Sequence, residues 1–78
     1  MSKQIVEYHL ARLKDKNPQA RINSIKELVL LGDVVALEAL RAVFENDPDE
    51  DVRKVAQNAG RELFKKIRAQ SEQAEDAS

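Results

Sequence analysis

An all-α fold of two helical hairpins is what this sequence predicts, and three observations predict it. Apolar residues recur at helical spacing through most of the chain. Two breaks of one design, Asn17-Pro18 and Asp47-Pro48, interrupt that pattern. The segments after the breaks also resemble each other, since Asp15 precedes Arg21 by six residues just as Asp47 precedes Arg53.

The first helix is expected from Lys3 to Lys14, with its apolar arc at Ile5, Val6, His9, Leu10 and Leu13. Asn17 then serves as N-cap and Pro18 as first helical residue of the second helix, which runs to Leu31. Gly32 supplies the left-handed position that ends it. Asp33 is read as the cap of the third helix, which runs to Asn46. The fourth starts near Asp49 and is expected to run to Ala69, so that residues 1–69 form the domain and residues 70–78 a polar, flexible tail.

Composition narrows what such a fold can do. The 78 residues suit one small domain. There is no cysteine, hence no disulfide framework and no thiolate metal site. Leu, Ile, Val and Ala must supply the core, from a hydrophobic content of 42%. No apolar run approaches membrane-spanning length, and a cytoplasmic location is the default expectation. A net charge of −1 argues against a dedicated nucleic-acid binder, whose affinity comes largely from phosphate neutralisation.

The segments Asp15-Lys-Asn-Pro-Gln-Ala20-Arg21-x-x-Ser24 and Asp47-Pro-Asp-Glu-Asp-Val52-Arg53-x-x-Ala56 align at a spacing of 32, and the odd-numbered helices at 30. With these repeats and the Leu31-Gly32-Asp33 turn, residues 5 to 67 resemble the HEAT-repeat family, particularly the HEAT-like repeats of phycobilisome lyases. The resemblance implies a short right-handed α-superhelix of two HEAT-like hairpins. It also implies that Asp15, Arg21, Asp47 and Arg53 act as structural Asp/Arg pairs beside the inter-helix turns. Arg21 falls within the apolar arc of its helix, where a guanidinium needs a partner.

Repeat proteins usually cap their terminal repeats with polar edges. At 100° per residue, helices 2 and 4 share the stripe Ala20, Ser24, Leu28, Leu31 against Val52, Ala56, Gly60, Leu63. Helix 2 adds Ile22, Ile25 and Val29 on one side, and helix 4 adds Val55 and Ala59 on the other, so these edges should meet. Leu37 and Phe44 are read as inward positions of helix 3, with Glu7 and Lys14 as their outward counterparts on helix 1. Val35, Ala39 and Ala42 then form an outer apolar strip. Phe44 and Phe64 are read as core, and polar outer edges predict a monomer in isolation.

No residue grouping suggests catalysis or a cofactor. His9 is the only histidine and lies in an apolar arc, which favours a core histidine. Asp47-x-Asp49-x-Asp51 resembles the start of a calcium loop, but Val52 and Asn58 stand where Gly and a bidentate Glu are needed. Arg61, Lys65, Lys66 and Arg68 make the second half of helix 4 basic, which a solvated face and the helix dipole explain.

Family resemblance places the second helix of each hairpin on the concave face. Its exposed positions would be Gln19, Asn23, Lys26 and Leu30 on helix 2, with Lys54, Asn58, Glu62 and Lys65 on helix 4. The leading expectation is therefore a non-catalytic adaptor or assembly factor with an unidentified protein partner. The alternatives are an accessory subunit of a phycobilin lyase-like enzyme and weak nucleic-acid binding through the basic half of helix 4.

Overall fold

The computed structural model describes residues 2–77, with side chains placed from Lys3 to Ser71. Its helices are α1 (Ser2–Arg12), α2 (Pro18–Leu31), α3 (Ala36–Asn46) and α4 (Glu50–Ala77). α1 packs on α2 and α3 on α4, α2 and α4 join the two hairpins, and α1 and α3 meet only briefly. The molecule measures 45 × 26 × 15 Å. At about 1.5 Å per residue, α4 alone spans nearly the longest dimension.

Local chemistry accounts for both ends of α2 and the start of α4. The Asn17 side chain accepts the Gln19 N–H at 2.9 Å, and Pro18 follows at the first helical position. Gly32 adopts φ 70°, ψ 21°, and its N–H bonds to the Leu28 carbonyl. Asp49 accepts the Val52 N–H at 3.1 Å and so caps α4.

Three boundaries differ from expectation by two residues or more. α1 ends at Arg12, with Leu13 and Lys14 in the turn that follows. Asp33 does not cap α3 directly. Its carboxylate accepts the Val35 N–H at 2.9 Å and closes a turn, so α3 begins at Ala36. α4 continues past Ala69 to Ala77. Gln, Glu and Ala dominate residues 70–77, with no Gly or Pro to stop propagation. Ser78 and the side chains of residues 72–78, part of the expected tail, lie outside the described residues.

The core follows the shared stripe and the facing edges. Ile25, Leu28, Leu40 and Leu63 are fully buried, each contributing about 1.5–3 kcal/mol of transfer free energy. Val29 and Ala59 are also buried, and Ile22 and Val55 pack partly against them, so the α2 and α4 edges meet as their wheels require. Leu31, the last residue of the stripe, is 38% exposed.

The outer helices correct the edge reading. Val35, Ala39 and Ala42 share a groove with Leu10 and Ala11 of α1 and with Leu13 and Lys14 of the turn after it, so this strip faces the first hairpin. Leu37 and Phe44, on the opposite side of α3, face away from it with Gly60 and Phe64 of α4. Phe44 is 39% and Phe64 52% exposed, so neither is core, and Ile5 at the other end of the molecule is 50% exposed. The polar-edge premise behind the monomer expectation therefore fails at the α3–α4 end.

The Asp/Arg positions also pair differently from a simple Asp15–Arg21, Asp47–Arg53 scheme. Each arginine donates to the backbone carbonyl of the aspartate six residues earlier: Arg21 Nη1 to Asp15 O and Arg53 Nη1 to Asp47 O, both at 2.6 Å. The ion pair runs between the hairpins. Arg21 Nη2 donates to Asp47 Oδ1 at 3.1 Å, and Nε lies 2.8 Å from Oδ2. The Nε–H is poorly aligned for a hydrogen bond, so that contact is mainly coulombic. The side chains are only 10% and 5% exposed. Asp47 Oδ1 also accepts the Asp49 N–H at 2.9 Å, and Asp15 Oδ1 accepts the Asn17 N–H at 2.8 Å.

Removing Arg21 would leave a buried carboxylate without its partner, a loss of about 3–5 kcal/mol. Arg21→Met is therefore expected to lower the urea midpoint severely. Asp15→Asn keeps an acceptor for the Asn17 N–H and should change stability by less than about 0.5 kcal/mol. Equal midpoints for the two variants would refute the assignment of the inter-hairpin pair.

Candidate functional site

Along the seam between α2 and α4 runs a shallow groove of about 360 Å³. α2 contributes Lys26, Val29 and Leu30, and α4 contributes Val55, Asn58, Ala59 and Glu62. Helical spacing explains the mixture. Val29, Val55 and Ala59 face the partner helix and floor the groove, while Lys26, Leu30, Asn58 and Glu62 stand one step further round and form its rims. Leu30 is 71% exposed, the highest value among the large apolar side chains described.

All eight residues expected on this face are exposed. The groove brings together Lys26, Leu30, Asn58 and Glu62. Gln19, Asn23, Lys54 and Lys65 do not line it. Gln19 and Asn23 instead bond to each other, Nε2 to Oδ1 at 3.0 Å, on the outer surface of α2. The groove thus offers an apolar floor, a cation, an anion and an amide. An amide can both donate to and accept from a peptide backbone. Such a set can hold a short peptide segment, and it contains no nucleophile–base pair.

Other candidate residues have structural roles. His9 is half-buried with Nδ1 3.5 Å from Ser24 Oγ, and Tyr8 packs edge-on against its ring. Arg12 lies over the exposed Tyr8 ring at 5.6 Å. Asp47 and Asp49 are committed to the turn before α4. Among the described residues no group of three or more His, Asp or Glu side chains could hold a metal ion. None of the helices is long and apolar enough to cross a membrane, again among the described residues.

Lys66 is the residue that sequence reasoning misplaced. Read as part of a solvated basic face, it donates from Nζ to the carbonyls of Val29 and Leu30, each at 3.0 Å. α2 carries no basic residue in its last turn, so α4 supplies the cation at the negative end of its dipole. The contact spans more than 35 positions of sequence, so no local signal announces it. The available signal was the missing C-terminal cation of α2. Of the four bases grouped on α4, Lys66 is thus engaged within the fold, and Arg61 lines the apolar patch with Phe44 and Phe64.

Lys66→Met should cost about 1 kcal/mol, seen as a lower thermal midpoint and faster exchange of the last amides of α2. Gly32→Ala should cost a similar amount, about 1 kcal/mol, through its positive φ. A Cβ there would meet Lys66 Cε at an ordinary 3.5 Å, so crowding is not the cause.

A family model for HEAT repeats matches residues 2–60. No curated protein and no solved structure matches the chain.

Proposed function

The chain belongs to the HEAT-repeat family, and from that premise we propose that it is a small non-catalytic adaptor that grips a protein partner along the α2–α4 groove. The observation that carries the proposal is the exposure of Leu30 beside the apolar floor of Val29, Val55 and Ala59. An isolated exposed leucine is ordinary on a protein surface. One that borders a groove with Lys26 and Glu62 on its rims offers an apolar contact surface flanked by charges of both signs.

The partner segment that suits this groove is short, with an apolar anchor and polar flanks. Its backbone would meet Asn58 and its charged side chains Lys26 and Glu62. A role in assembling a larger complex in the cytoplasm belongs to the same proposal. Its support is family membership together with the sequence likeness to phycobilisome-lyase repeats.

The test is affinity capture from native lysate with the wild type and a Lys26→Glu, Leu30→Asp double variant. Both sites are exposed, so the variant should keep the circular dichroism of the wild type. The expected outcome is one protein retained by the wild type and lost by the variant. Retention of the same protein by both moves the binding surface elsewhere and overturns the groove assignment.

A further inference from the structure

The network that joins the two hairpins is left open at both ends of the molecule, and the open ends are complementary. Internally, Arg21 of the first hairpin clamps the carboxylate of Asp47 in the turn of the second. Asp15 is the repeat equivalent of Asp47. It holds the same turn, through the Asn17 N–H, yet no guanidinium pairs with its carboxylate among the described residues. Arg53 is the equivalent of Arg21. It makes the same bond to the preceding aspartate carbonyl, yet no carboxylate pairs with it among the described residues.

The faces around these two groups correspond as well. At the Arg53 end lies a groove of about 390 Å³ whose lining includes Leu37, Phe44, Gly60, Arg61 and Phe64. Gly60 has open space where a Cβ would stand. At the Asp15 end, the sides of α1 and α2 turned away from the second hairpin carry Ile5, His9 and Glu27. Ile5 and Glu27 are exposed. Repeating the internal register brings Arg53 to Asp15, Arg61 to Glu27, and Leu37 and Phe44 to Ile5 and His9.

We propose that this protein associates head to tail with further copies of itself, the α3–α4 face of one copy docking on the α1–α2 face of the next. An Arg53–Asp15 clamp, built like Arg21–Asp47, would fix the register. The occupant is a second copy because this chain carries the mate of its own open end, in both apolar surface and charge. The contact is heterologous, so each added copy presents a fresh face and the assembly does not close at a dimer. This surface is separate from the α2–α4 groove and does not depend on the adaptor reading.

The test is sedimentation velocity on the full chain, with circular dichroism confirming that each variant is folded. The wild type should show a weight-average mass that rises with concentration, without a plateau at dimer, up to about 500 μM. Asp15→Asn removes the charge but keeps the turn acceptor, and should weaken association at least about tenfold. Glu27→Arg blocks the head and Phe64→Glu blocks the tail, so each alone should remain monomeric. An equimolar mixture of these two should form a dimer and nothing larger, because one intact head and one intact tail remain. A monomeric wild type across the range overturns the proposal. So does a closed dimer unaffected by either blocking variant, or a mixture that stays monomeric.

Discussion

One guanidinium ties this molecule together. Arg21 lies in the interior of a small, mostly aliphatic core, where an unpaired charge would cost several kcal/mol. It is kept there by the Asp15 and Lys16 carbonyls on one side and the Asp47 carboxylate on the other. The two carbonyls belong to the turn of the first hairpin and the carboxylate to the turn of the second. The ion pair therefore sets the distance and rotation between hairpins whose outer helices hardly touch. Apolar contact between α2 and α4 supplies adhesion without direction. The hydrogen bonds of one planar guanidinium, to the carbonyls of one turn and the carboxylate of the other, supply direction.

What the sequence made legible was local stereochemistry and the angular order of residues on each helix. Asn17, Pro18 and Gly32 act within a few positions of themselves, and they behave as their types require. The shared stripe and the facing edges of α2 and α4 follow from 100° arithmetic applied to long, regular helices. That arithmetic orders residues around one helix but does not say which way the helix is turned toward its neighbour. For α3 two apolar sides competed, Val35, Ala39 and Ala42 against Leu37 and Phe44. Choosing the larger residues as inward put the smaller strip on the wrong side. Large aromatic residues at an open face are the usual exception to size as a guide to burial.

The groove residues were legible for the same reason as the edges, since exposure on α2 and α4 follows from the stripe. Their division into four that line the groove and four that do not depends on where the helices approach. A wheel contains no such information. Lys66 shows the same limit: its role is set by the end of another helix. The Asp/Arg spacing singled out Arg21 and Asp47 but not their bond to each other, because a spacing within one repeat cannot display a bond to the next.

The loose approach of α1 to α3 has a consequence for motion. α1 relies almost wholly on α2 for burial, and of its described side chains only Val6 is buried, together with Leu13 in the turn that follows. α2 by contrast is held by α1, by α4 and by Lys66. Free energies of local opening should therefore be graded across the molecule, lowest in α1 and highest along the middle of α2 and α4. The first segment to detach would expose the α1-facing side of α2, including Ser24 and Leu28, while the second hairpin stays assembled. Such a peeled state would be a minor species on the microsecond-to-second timescale, and its population would be set by the contacts of one eleven-residue helix.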